Sequence, residues 1–357
     1  MKKKSVDNAD GKSKPAKSSA LSAGRLLRFS LLFIFLSSLG FYAVYSQVPT
    51  DKVTWDSRLF SVQFFISTAG LLSIYYCLDG LRLWFVLRAL NQRIALRAMI
   101  RLVFINLFVS NVTPLATGGG VAQVWYLQRR GVPVGTAMTA TTIRTVLAVL
   151  FIFSAGPVML LKLTDAQTIS RYTPVFRTLA VFATLYIGFF VVLILRTKVL
   201  IQILVGTLLM LRWLHVLNPG RYSRWKRNIV REMHRFAVGF RTFLKGKPRY
   251  ILASILATAG FLLSLFSFPA LITAALGYDL QYWLVIGRLL ITTFVMYFSP
   301  TPGASGIAEG VFGYLFSDIL TAGHLVLVTV LWRAVTIYLG MGIGIFIMHR
   351  EISHEST

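Results

Sequence analysis

Charge is scarce in this chain, acid scarcer still, and cysteine all but absent. Only 14% of the 357 residues are charged, against roughly 25% in an ordinary soluble domain. Asp and Glu total 12 against 37 Lys and Arg, a formal net charge of +25. The single cysteine, Cys77, excludes an internal disulfide and offers no thiolate cluster for a metal. His215, His234, His324, His349 and His354 are scattered without zincin spacing, and no Walker lysine motif occurs. No hydrolytic or transferase constellation stands out, so the sequence calls for neither cofactor nor metal.

Apolar residues fill the space instead, at 56% of the chain with a mean hydropathy of +0.69. Crossing a bilayer takes about 20 apolar residues, and suitable runs recur at 26–45, 60–78, 137–161, 175–195, 251–276 and 325–348. The first run is too long for a signal-peptide core and lacks a small-residue cleavage site, so no cleavable leader is expected. The basic residues fall between these runs rather than on one folded face. The pattern therefore implies positive-inside topology and anionic lipid, with no nucleic acid as partner.

Charge also sets the expected topology. Residues 1–25 are Lys/Ser-rich and read as a disordered basic cytoplasmic N-terminus. The run at 60–78 is followed by Arg82, Arg88, Arg93, Arg97 and Arg101, expected inside. The most basic stretch, within an insertion at 197–249, carries Arg221, Arg224, Lys226, Arg227 and Arg231 and is also expected inside. An even number of crossings must then precede it. Either 98–128 enters and leaves on the cytoplasmic side, or 98–113 crosses fully and 199–217 supplies a further span. The second layout needs a tight turn at Arg196-Thr197-Lys198, which has no Gly, Pro or Asn. The first is preferred, with 199–217 an amphipathic helix near the inner surface.

Two short segments resemble each other. Residues 113–123 read TPLATGGGVAQ and 301–309 read TPGASGIAE. Each follows an apolar helix and precedes a long span bearing one arginine; Arg144 lies 30 residues after Pro114, and Arg333 lies 31 after Pro302. With 98–128 opening from inside and 283–319 from outside, the halves are inverted copies, a pattern in which interrupted helices meet near the membrane midplane. The expected fold is an all-α polytopic membrane protein. It has six full transmembrane helices plus two re-entrant broken-helix pairs, about eight segments in an inverted-repeat architecture. Its domain spans 26–348, with repeat one at 26–162, repeat two at 175–348 and a short cytoplasmic tail at 349–357.

Irregular backbone at membrane depth survives only inside protein or along a wet cavity. Pro114 and Pro302 stop their helices, while Gly118, Gly119, Gly303 and Gly306 allow positive φ and close approach. Thr113, Thr301 and Gln123 add neutral hydrogen-bonding groups. Arg144 and Arg333 are costly in a span and must face a cavity or a partner. Two readings of them stand: they tie broken-helix carbonyls together, with Glu309 as the ion mate of one, or they bind an anionic headgroup bidentately. Trp125, Tyr126, Trp283 and Tyr297 read as interfacial anchors or packing residues.

The stretches TPLATGGGVAQVWYLQRRGVPVGTAMTATTIR (113–144) and SPTPGASGIAEGVFGYLF followed by LWRAVTIYLGMGIG (299–344) resemble the lysylphosphatidylglycerol synthase transmembrane region, also called the flippase-like integral membrane family. RLW at 82–84 is similar to the family's Arg-Trp region, and Gln123 stands where many members carry Glu. The resemblance implies a module that flips aminoacylated phosphatidylglycerol between leaflets in proteins bearing a separate soluble transferase domain. This sequence stops at Thr357 without one, so the expectation leans away from an enzyme.

The expected function is a lipid flippase of a bacterial inner membrane, with both termini cytoplasmic and an anionic membrane lipid as cargo. Two alternatives stay open: a membrane-embedded component of a lipid-modifying or glycolipid-synthesising enzyme system, and a non-catalytic partner of an envelope biosynthesis enzyme. A homo-oligomer is also left open.

Overall fold

The computed structural model describes residues 56–113, 116–162, 197–213 and 219–353, with scattered positions within 31–42 and 181–188. The expected N-terminal tail, Pro114, the last residues of the tail and nearly all of the runs at 26–45 and 175–195 lie outside the described residues. The described residues are helical, with no strand among them.

A 3-10 turn at Ser57–Phe60 leads into α1 (Val62–Ala89), where the Ser61 hydroxyl accepts from the Phe64 N–H at 3.2 Å and caps the helix. Then come α2 (Leu96–Val112), α3 (Thr117–Arg129) and α4 (Val134–Lys162). The middle of the chain forms α5 (Thr197–Trp213) and α6 (Pro219–Leu244). The last part holds α7 (Pro248–Ala275), α8 (Tyr282–Tyr297), a 3-10 turn at Pro302–Ala304, α9 (Ile307–Phe316) and α10 (Ala322–Arg333). A π-helical turn, Ala334–Tyr338, carries α10 into α11 (Leu339–Ser353).

Four of these helices are long and apolar enough to cross a membrane: Val62–Ala89, Val134–Ile152, Pro248–Ala275 and Ala322–Glu351. They match the four expected spans that fall on described residues. At 1.5 Å per residue, a 28-residue helix such as α1 reaches about 42 Å, more than the ~30 Å of hydrocarbon.

The internal similarity extends from the two motifs to whole elements. Long, medium, short and long helices follow one another twice, as α1–α4 and as α7–α11. Val62 and Pro248, Leu96 and Tyr282, and Val134 and Ala322 lie 186, 186 and 188 positions apart. Packing crosses between the copies: α1 lies on α7, α4 touches α8, and α11 lies on α2.

Contacts also show where each broken pair opens. The start of α2 and the end of α3 meet the end of α11, since Arg101 and Arg130 lie 3.3 and 3.2 Å from the Glu351 carboxylate and Arg129 donates to its carbonyl. In the other copy, Arg288 near the start of α8 binds Asp318 and the Leu315 carbonyl beyond and at the end of α9. Tyr278 meets His324 there, and Arg58 donates to the Leu276 carbonyl. The start of α2 thus lies near the end of α1, where Trp84 donates to the Ile94 carbonyl, and the second pair's ends lie near its start.

The basic stretch within 197–249, read from its charge as a loop, is the long helix α6. Phe236, Phe240 and Phe243 recur at helical spacing and are buried. Gly135 lets it dock on α4: a Cβ there would lie 2.3 Å from the Glu232 carbonyl oxygen, and the Glu232 carboxylate accepts the Gly135 N–H at 2.8 Å. In α5, Arg212 lies over the Tyr222 ring of α6.

Most of the apolar core falls in two clusters, one joining Leu59 and Phe64–Tyr75 of α1 to α4 and α7–α10, the other joining the last turns of α1 to α2, α3, α4 and α6; a small third holds Leu208 of α5 and Tyr222 of α6. Along α1 the clusters meet between Tyr75 and Leu83, and along α4 between Ile143 and Ala148. Polar side chains occupy that junction.

Candidate functional site

The second break is built from the backbone outward. Phe298 ends α8, and after Thr301 and Pro302 the chain passes through the left-handed region at Gly303 (φ 58°) and Ala304 (φ 55°), then Gly306 (φ 82°). Two prolines and glycines in ten residues permit this; an alanine there carries a steric cost of roughly 1–2 kcal/mol. In α9, Glu309 turns back so that its Oε2 accepts the Gly306 N–H at 2.7 Å, satisfying one of the orphan donors at the helix start. Its Oε1 lies 2.8 Å from Arg333 Nε. Arg333 Nη2 donates to the Gly303 carbonyl at 2.8 Å. Both side chains are fully buried. One arginine thus clamps the break's carbonyl and the carboxylate that caps the resumed helix, and its Nη1 finds no hydrogen-bond partner among the described residues.

The first break uses the same backbone device with different side chains. Ala116 is left-handed (φ 51°), and Ala116 and Ala304 each stand two residues after the proline of their motif. Thr113 Oγ1 accepts the Gly118 N–H at 2.9 Å, and a Cβ on Gly118 would lie 2.5 Å from the threonine methyl. Gly119 packs as tightly on Asn106 and Ser110. Gln123 Nε2 donates to Asn106 Oδ1 at 2.6 Å, while its buried Oε1 has no hydrogen-bond partner among the described residues. No acid caps α3, and no arginine holds this break's carbonyls among the described residues.

Arg144 is engaged elsewhere. Its Nη2 donates to Asp79 Oδ1 at 2.6 Å. The same oxygen takes Arg82 Nε at 2.7 Å and faces Arg82 Nη2 at 2.5 Å. The Arg82 guanidinium lies 3.7 Å from the centre of the Phe261 ring, a cation–π contact from α7. All three charged side chains are less than a tenth exposed. One carboxylate sits between two guanidiniums at the junction of the apolar clusters.

Sequence reasoning missed two of the three members of this cluster. Arg82 was assigned by charge to a basic stretch beyond the span, yet α1 continues to Ala89 and buries it. Asp79 was passed over. The i,i+3 spacing of Asp79 and Arg82 inside a helical apolar run was the available signal. The buried Arg288 was equally invisible; Asn106 is readable in the sequence as a neutral hydrogen-bonding group, though not as the partner of Gln123. Tyr126, expected as anchor or packing, packs: it is fully buried, whereas Trp283 is 44% exposed.

A cavity of about 630 Å³ joins these parts. Small-molecule sites span ~300–1,000 Å³. Arg82 and Arg144 face it from one side, Gly119 and Gln123 from the first break, and Thr301 and Gly303 from the second. Of the sequence-predicted site residues, Arg144, Gln123, Gly119, Thr301 and Gly303 therefore meet around one space. Arg333, Glu309, Thr113, Gly118, Pro302 and Gly306 do not line it, although Arg333 holds the carbonyl of the lining residue Gly303. Pro114 lies outside the described residues.

Repeated apolar helices broken at Thr-Pro motifs, closing on a cavity with two buried arginines in its wall, define a multi-pass membrane protein. Residues 25–344 match the family described as the lysylphosphatidylglycerol synthase TM region, and the chain belongs to that family. It is also similar to a UPF0104 membrane protein of Archaeoglobus fulgidus, 26% identical over 312 residues, covering 87% of this chain and 93% of the relative.

Proposed function

We propose that this protein is a lipid translocase that takes an anionic headgroup into the cavity between its two broken helix pairs. In this reading both pairs are re-entrant, one from each face, and the halves are inverted repeats among six full spans. The end carrying Arg88, Arg97, Arg101, Lys245 and Lys247 is cytoplasmic by the positive-inside rule, with both termini on that side of an inner membrane.

The observation that carries the reading is the convergence of both breaks on one 630 Å³ space with Arg82 and Arg144 in its wall. An arginine in a span is costly unless its charge has work to do or a partner, and here two share a single acid. Guanidinium matches phosphate oxygens geometrically. The cavity opens next to neutral hydrogen-bonding groups suited to a polar headgroup.

The test is reconstitution in liposomes containing fluorescent phosphatidylglycerol, with an impermeant quencher reporting the outer leaflet. Protein-dependent loss of protected lipid is expected. Vesicles whose protected fraction stays at the protein-free level for every anionic lipid tried would sink the proposal.

A further inference from the structure

The Arg82–Asp79–Arg144 cluster holds two cations and one anion, all buried; the two guanidiniums line the cavity, and Asp79 touches both without lining it. Asp79 meets both guanidiniums through a single oxygen, Oδ1, so the second arginine's charge is shared rather than cancelled. Arg144 Nε is buried without a hydrogen-bond partner among the described residues. The opposite wall adds no charge to the space, because Glu309 and Arg333 neutralise each other behind it.

From this balance we infer that Asp79 is a specificity-determining residue, setting the cavity to accept one negative charge. The chemical class is a phosphodiester, whose single charge balances the cluster's excess; a phosphomonoester dianion leaves one charge without a counterpart among the lining residues. This rests on the translocase reading and refines it. Removing the carboxylate's charge, as in Asp79→Asn, leaves two free guanidiniums and shifts the fit toward a dianion.

The experiment is displacement of fluorescent phosphatidylglycerol from the full-length chain in detergent by unlabelled phosphatidylglycerol or phosphatidic acid. Phosphatidic acid is a phosphomonoester whose second proton leaves near about pH 6, so it is a monoanion at low pH and a dianion at high pH. At pH 8 phosphatidylglycerol is expected to compete about tenfold better than phosphatidic acid, and at pH 5 the two should converge. In Asp79→Asn the pH 8 preference should vanish or invert.

An unchanged ratio across pH, or the wild-type ratio in a folded Asp79→Asn variant, would overturn the charge rule while leaving lipid binding in place. If that variant does not fold, the wild-type pH series decides alone. No binding of any lipid would overturn both proposals. Competition by glycerophosphoglycerol, the headgroup without chains, at the potency of the lipid would support the charge rule and overturn the lipid source.

Discussion

The two breaks share a backbone and differ in where their charge is spent. At the second, Arg333 and Glu309 are sealed from the cavity and hold the broken strand of chain together, with the arginine on the Gly303 carbonyl and the acid on the Gly306 N–H. At the first, Gln123 and Asn106 do the local holding without charge, and Arg144 is released to the cavity wall beside Arg82. One half of the repeat supplies a rigid frame and the other the charged surface. Duplicated sequence patterns can thus place their buried charge differently, as the partners of each arginine show.

The largest effect should come from breaking the frame. Glu309→Ala leaves Arg333 charged in a fully buried site, at a cost of about 3–5 kcal/mol. Thermal unfolding in detergent should show a large drop in midpoint. Replacing both members, as Glu309→Leu with Arg333→Met, should recover much of it, because an apolar pair leaves no unpaired charge behind. A double variant as unstable as the single one would mean that the Gly303 and Gly306 contacts, rather than the charge balance, carry the cost.

Overfilling the first break ranks next. Gly118→Val puts a branched side chain where even a Cβ comes within 2.5 Å of Thr113, and should cost about 1–3 kcal/mol. Gly120→Ala, two residues further on with open space around its Cβ, should be near neutral in the same unfolding assay. Equal effects would mean the two glycines are not distinguished by packing.

The smallest effect should come from making the first break resemble the second. Gln123→Glu brings a carboxylate beside Asn106, whose amide can turn its NH2 toward it, so stability should move by no more than about 1 kcal/mol. The added negative charge at the cavity wall should nevertheless weaken anionic lipid binding several-fold, measured by the same displacement assay. Tighter binding of an anionic lipid would contradict the assignment of the cavity's charge.

Much of this was legible in the sequence, for identifiable reasons. The Thr-Pro motifs, the arginines about thirty residues downstream and Glu309 as an ion mate stand out because charge and proline are rare in apolar runs. The Asp79–Arg82 pair did not, because Arg82 begins a series of arginines that charge counting assigns to the membrane surface. The helix α6 was hidden for a related reason: its many arginines outweighed the spacing of Phe236, Phe240 and Phe243. The partner choice of Arg144 depends on α1 and α4 meeting 65 residues apart in sequence, which no local pattern encodes. The left-handed Ala116 and Ala304 were equally silent, since alanine is not a residue that announces such a backbone.

The division between frame and surface is tested most directly by comparing Arg144→Gln with Arg333→Gln, each measured for thermal stability in detergent and for lipid translocation in liposomes. The account predicts that Arg144→Gln stays folded, since Asp79 keeps Arg82, and loses at least about 90% of translocation, a tenfold effect. Arg333→Gln should unfold at markedly lower temperature. Two variants equally stable and equally active, or an unstable Arg144→Gln beside a stable, inactive Arg333→Gln, would contradict it.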